Sequence, residues 1–218
     1  MAKIMAERDL KEFSGSLYDD PIKLRNAEFE RMGYKTKEEI ENYYIKSSYN
    51  AFDLARWHDT SAVRESVFRI CEENAHGKML DFGAGIGTNC IRIAMAGDKI
   101  ADADIYYYDL NEFSKAFAAW RFKKYNLNIK ILNQLENWYD VIYMIDVIGH
   151  LAEPQKTLKD LVERLKPYGK LIFTNDAVES KEHPMHRDLN FNLDQFLKDN
   201  GMSRINFGHV NIWYRSLK

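Results

Sequence analysis

Between Met79 and Asn89 the sequence reads MLDFGAGIGTN: a short apolar stretch reaches an acid and then places glycine at alternate positions, Gly83, Gly85 and Gly87. Alternating glycines let the main chain turn tightly and admit a ligand close to the backbone. The apolar residues before them read as a strand and the residues after them as a helix, whose free N–H groups suit a ligand carboxylate. A chain organised around such a loop is an α/β protein with its ligand at the carboxyl edge of a parallel sheet.

The flanking pattern agrees. From Lys78 onward short apolar runs alternate with amphipathic segments, giving strands at about 78–82, 104–109, 129–132, 139–145 and 169–175. The helices between them fall at about 87–96, 112–125 and 154–166, the last starting at Pro154 and stopping before Pro167, and a further helix at 191–200 ends at Gly201. SRINF and VNIWYRS, joined by the short connection GH, predict a closing antiparallel hairpin. Upstream of Lys78 the chain is helical with no good strand candidate. Asp20 caps a helix that begins at Pro21 and ends at Gly33, and Thr36 with Glu39 forms a capping box. A third helix over Ala62–Glu73 sets Val63, Val67, Ile70 and Cys71 on one face. In 218 residues this is one catalytic domain with an appendage: a helical cap or lid over residues 1–75 and a ligand-binding domain over residues 76–218.

Composition narrows the partners. Lys and Arg total 31 against 33 acidic residues, so no basic excess points to a nucleic acid, and a small substrate fits better. Cys71 and Cys90 form no CxxC pair and sit in helical stretches, which places the chain in a reducing cytoplasm. The N-terminal MAKIMAERDLKEFSGS lacks a signal-peptide apolar region, and no apolar run approaches the roughly 18 residues of a membrane span.

The second strand, IYYYDL, ends in Asp109, 22 residues beyond Gly87 (109 minus 87), which returns an acid to the side of the glycine loop across one helix. A carboxylate there can accept both hydroxyls of a ribose, or it can cap the helix that starts near Glu112. Dinucleotide enzymes also use a ribose acid, but their loop reads GxGxxG where this one reads GxGxG after an acid.

DFGAGIGT resembles motif I of the class I S-adenosylmethionine-dependent methyltransferases. WYDVIYMIDVIGHL is similar to that family's fourth strand, and LKPYGKLI, residues 165–172, to its later LKPxGxLI segment. The resemblance covers roughly residues 78–217. It implies a three-layer Rossmann-like fold with a seven-stranded, mostly parallel sheet ending in the antiparallel hairpin, here with an added N-terminal helical cap. It also implies S-adenosylmethionine as cofactor, lined by Asp81, Gly83, Ala84, Gly85 and Thr88, with Asp109 on the ribose and Leu110 against the adenine. The family's acid after the third strand is missing; ILNQLEN offers Asn133 or Gln134 in its place.

Methyl transfer asks the protein to place a nucleophile, exclude water and in some cases remove a proton. His150, just past the fourth strand, is the first candidate base, the other reading being a structural hydrogen bond. Asp146 and Val147 end that strand and face the cofactor or substrate, unless Asp146 is a cap. EHPMHRD brings His183 and His186 into a loop where this fold places substrate contacts; with Asp188 or His209 they make only a weak metal-ligand pattern, and no metal is expected. The aromatic N-terminal region includes Tyr49 and Trp57, which in a lid would reach the cofactor, and Tyr43 and Tyr44, which with Ile40 equally suit a packing face. The function expected is methylation of an oxygen or nitrogen nucleophile of a small molecule. Protein or peptide methylation, a noncatalytic S-adenosylmethionine-binding module and an NAD(P)-dependent oxidoreductase are the alternatives.

Overall fold

The computed structural model describes residues 5–97, 102–174, 184–207 and 210–216. Five helices come first: α1 (Ala6–Ser14), α2 (Pro21–Met32), α3 (Lys37–Lys46), α4 (Tyr49–Thr60) and α5 (Ala62–Asn74). The alternating part follows as β1 (Lys78–Phe82), α6 (Thr88–Met95), β2 (Asp104–Tyr108), α7 (Glu112–Lys124), β3 (Lys130–Ile131), β4 (Tyr139–Met144), α8 (Pro154–Glu163), β5 (Leu165–Thr174), α9 (Leu193–Asp199), β6 (Met202–Phe207) and β7 (Val210–Arg215).

The strands form one sheet in the order β3-β2-β1-β4-β5-β7-β6, parallel except where β7 pairs antiparallel with β5 and β6. The expected mostly parallel seven-stranded sheet with a terminal hairpin is therefore present; the GH connection lies outside the described residues. Side chains alternate across the sheet. Met79, Tyr107, Val141, Tyr143, Ile172 and Ile212 pack on one face with Val67 and Cys71 of α5. Leu80, Ile142, Met144, Leu171, Phe173 and Trp213 pack on the other with Leu158 and Leu161 of α8.

Local chemistry sets the boundaries. Asp20 accepts from the Lys23 N–H at 3.0 Å with Pro21 in the first helical position, and Thr36 and Glu39 form the reciprocal capping box. α8 ends at Glu163, three residues earlier than its expected end, because Lys166 precedes Pro167 and that position disfavours helical backbone. The chain instead enters β5 at Leu165, and the register slips between Tyr139↔Leu165 and Val141↔Lys170. Tyr168 takes φ 63° at this irregularity. A Cβ on Gly169 would lie 2.9 Å from the Tyr139 carbonyl oxygen, which excludes a larger residue there.

The order of strands reverses between β1 and β4, so the carboxyl ends of β1, β2 and β4 diverge and open a crevice. The N-terminal helices close over it. Ala6, Leu10, Ala51, Phe52 and Ala55 share a core with Ile86 of the glycine loop and Phe117 of α7.

Candidate active site

A cavity of about 940 Å³ lies between the carboxyl edge of the sheet and α2–α5. At one end are Gly83, Ala84 and Gly85 with Asp109 and Leu110; at the other are Tyr44, His150, Met185 and His186.

The glycine loop is held by the neighbouring strand. Gly83 and Ala84 give their N–H groups to the Tyr108 carbonyl at 2.9 and 3.1 Å, and the Tyr107 hydroxyl donates to the Gly85 carbonyl at 2.6 Å. Gly83 and Gly85 have φ of 67° and 53°, and a Cβ would stand 2.6 Å from Val147 at the first and 3.0 Å from Leu54 at the second. Alanine at Gly83 therefore clashes with Val147, alanine at Gly85 presses on the Leu54 side chain, and both strain the backbone.

Asp109 sits in the notch beside this loop. Its two oxygens accept the Gly85 N–H and the Asn111 N–H, each at 2.7 Å. Burial raises its pKa above the usual carboxylate range, against the pull of those backbone donors. Asn111 caps α7 through Ser114 N, and its side-chain amide also donates to the Tyr44 and Ser47 carbonyls at 2.8 and 2.6 Å. The cap of α7 thereby ties the end of α3 to the Asp109 notch.

At the end of β4, Asp146 has φ 56° and accepts Arg64 Nη1 and the Thr174 hydroxyl, each at 2.6 Å. Arg64 comes from α5, so an N-terminal helix is pinned to the sheet edge. The next turn, Ile148–His150, delivers His150 into the cavity. There the Tyr34 hydroxyl donates to the Tyr44 hydroxyl at 3.0 Å, and Tyr44 meets His150 Nδ1 at 2.6 Å. Burial, seconded by His186, lowers the His150 pKa to about 3, while Asp146 and a hydrogen bond to the Met185 backbone oppose the fall. The His150 and His186 rings are 4.7 Å apart. Burial takes the Tyr34 hydroxyl the other way, up to about 12.

The expected site residues divide. Gly83, Ala84, Gly85, Asp109, Leu110, Asp146, Val147, Trp57, His150 and His186 line the cavity. Asp81, Thr88, Asn133, Gln134 and Tyr49 do not. Asp81 lies under the loop, 2% exposed, accepting the Cys90 thiol at 3.3 Å, and burial raises its carboxyl to about 6. Thr88 is turned inward onto Arg121 and His58 at 2.9 and 3.0 Å. Asn133 and Gln134 point to solvent, and Leu135 reaches the cavity instead. Tyr49 packs edge-on against Tyr18. His183 and His209 fall outside the described residues. Of the two tyrosines read as a packing face, Tyr43 is fully buried and Tyr44 lines the cavity. Sequence reading passed over Arg25, Leu54, His58 and Arg64, because nothing local marks a helical residue as facing a sheet edge distant in sequence.

The methyltransferase domain family matches residues 55–218. The chain belongs to the class I S-adenosylmethionine-dependent methyltransferases. Among solved structures, magnesium protoporphyrin IX methyltransferase from Synechocystis PCC 6803, with bound SAH, aligns with a TM-score of 0.64 at 17% identity over 83% of this chain and 100% of that one. A SAM-dependent methyltransferase from Aquifex aeolicus aligns with a TM-score of 0.53 at 23% identity, covering 69% and 87%. These are likenesses of fold. The ubiquinone biosynthesis O-methyltransferase of Rickettsia bellii is 29% identical over 99 residues, 44% of this chain and 41% of that protein. The lovastatin diketide synthase of Aspergillus terreus is 26% identical over 151 residues, 61% of this chain and 6% of the synthase. The chain thus spans less than half the length of these curated relatives.

The residues of this methyltransferase fit its cofactor. Each Asp109 oxygen accepts a backbone N–H, and the carboxylate stands beside the glycine loop among the cavity-lining residues, a place that suits two adjacent ribose hydroxyls. The bare backbone of Gly83–Gly85 leaves room for a ligand where a side chain would intrude.

Proposed function

We propose that this methyltransferase transfers a methyl group to an oxygen or nitrogen nucleophile of a small molecule bound at the Tyr44–His150 end of the cavity. The observation that carries this reading is the continuity of one cavity of about 940 Å³ from the glycine loop and Asp109 to Tyr44, His150 and His186. Sites for one drug-sized ligand run to roughly 300–1,000 Å³. The upper end of that range suits a cofactor beside a compact acceptor. Ile40, Leu54 and Trp57, from α3 and α4, supply apolar wall, which supports reading residues 1–75 as a cap that keeps water from the reacting atoms.

Bound there, S-adenosylmethionine supplies a methyl group already activated on a sulfonium. Asp109 holds the ribose hydroxyls, Leu110 flanks the adenine and the Gly83–Gly85 backbone accommodates the methionine portion. Tyr44 and His150 handle the proton. With the imidazole proton on Nε2, His150 offers Nδ1 to the Tyr44 hydroxyl, whose oxygen accepts from Tyr34 and keeps one lone pair. An acceptor O–H or N–H placed against that lone pair gives its proton to Tyr44 while the Tyr44 proton passes to His150. Burial holds His150 neutral and also weakens it as a base, so the proton moves as the acceptor's bond to the methyl group forms and makes that proton acidic.

The test is release of S-adenosylhomocysteine from S-adenosylmethionine against small phenols, hydroxy acids and amines, beside peptides and folded proteins. Turnover with small molecules alone is expected. Turnover confined to polypeptides would contradict the proposal, and none with any acceptor despite cofactor binding would favour a noncatalytic module.

A further inference from the structure

We infer that His58 is a positioning residue whose Nε2 donates a hydrogen bond to the carboxylate of the bound cofactor, with Arg64 Nε as a second donor. His58 on α4 and Arg64 on α5 both line the cavity that contains Gly83–Gly85. Arg64 is 6% exposed. His58 Nε2 and Arg64 Nε are each buried with no hydrogen-bond partner among the described residues. A buried polar atom left unpaired costs more than an ordinary hydrogen bond contributes, so two such nitrogens at one cavity indicate an absent acceptor.

A chain of hydrogen bonds backs the His58 ring. Arg121 can only donate, and gives Nη1–H to Thr88 Oγ1 at 2.9 Å. The Thr88 hydroxyl lies 3.0 Å from His58 Nδ1. An acceptor at Nε2 selects the neutral ring that carries its proton there, leaving Nδ1 to take the Thr88 proton. Burial, with Arg64 and Arg121 adding to it, keeps His58 neutral by holding its pKa well below the ordinary value. Arg64 already holds Asp146 through Nη1, and the two remaining N–H donors suit a group with two acceptor oxygens. The carboxylate is the anionic group of S-adenosylmethionine, at the end of the molecule that the glycine loop accommodates. Thr88 therefore acts one bond behind the cofactor, by orienting His58. Arg121 in turn donates Nε to Asp9 of α1 at 3.1 Å, so the chain runs from the first helix to the cofactor site.

The test compares S-adenosylhomocysteine with methylthioadenosine, which keeps the adenine, ribose and thioether but lacks the amino-acid end. Calorimetric titrations would use the full chain as wild type, His58→Phe and His58→Gln. The Phe variant is expected to weaken S-adenosylhomocysteine roughly ten-fold or more while methylthioadenosine stays within about two-fold. Gln, whose amide N–H reaches the position of Nε2, is expected to recover most of the loss. Retained methylthioadenosine binding also shows that the variants are folded. Equal weakening of both ligands in the Phe variant, or no weakening of either, would overturn the inference while leaving the cofactor assignment intact. A wild type that binds neither ligand would overturn both.

Discussion

At His150, burial and the neighbouring His186 lower the imidazole pKa to about 3, so a base that must be unprotonated to act stays unprotonated as the pH falls well below neutrality. The acid limb of an ordinary histidine is therefore displaced downward. With a good acceptor, kcat/KM should be level between about pH 5 and 8, and a limb near the usual histidine value of about 6.5 would contradict this account. His150→Ala should lower kcat by about 10²–10⁴ with the affinity for S-adenosylhomocysteine unchanged; an equal loss of cofactor binding would assign His150 a structural role. His150 was legible in the sequence because DVIGHL fixes its place past β4. Its partner was not, since Tyr44 lies 106 positions away and nothing within YYIK tells which tyrosine turns to the cavity. Asn133 and Gln134 lie outside the cavity lining for a related reason: residue type suggested a hydrogen bond, but both residues are exposed in the short loop after β3.

Among the elements, α1 is joined to the catalytic domain by a buried charge cluster. Asp9 accepts from Arg121 Nε at 3.1 Å, Lys124 Nζ at 2.9 Å and the Tyr125 hydroxyl at 2.7 Å, and both Asp9 and Arg121 are fully buried. Burial pushes the Asp9 carboxyl up, but hydrogen bonds from Tyr125 and Lys124 and the Arg121 charge hold it below its normal value. Removing one partner of a buried ion pair strands the other, at about 3–5 kcal/mol. Asp9→Ala should therefore lower unfolding free energy in denaturant titration by about that amount, and a change below about 1 kcal/mol would show that α1 is loosely attached. Helix boundaries were readable where a cap announces them, as at Asp20 and Thr36. The division between α3 and α4 carried no such sign: Ser48 makes no side-chain cap, and the break rests on buried Ser47 donating to Glu28 at 2.6 Å, a contact between helices.

Across the whole molecule, the strand order that reverses at β1 and β4 and the helices that precede the sheet enclose a shared cavity between them. The sheet half was readable because parallel strands and their helices write short apolar runs and a glycine loop into the chain. Of the cap half only Trp57 was read, because packing across the crevice leaves only ordinary amphipathic helices in the sequence. The helices also reach further into the fold than a detachable lid would: Val67 and Cys71 of α5 lie in the main core, and Leu54 of α4 sits against Gly85. The claim on which the rest depends is that this cavity holds S-adenosylmethionine with its ribose on Asp109. Calorimetric titration of wild type and Asp109→Ala with S-adenosylmethionine tests it most directly. The account predicts saturable one-to-one binding by the wild type and a loss of about ten-fold or more in the variant, for two hydrogen bonds to a charged acceptor. Wild-type binding that Asp109→Ala leaves unchanged would contradict it.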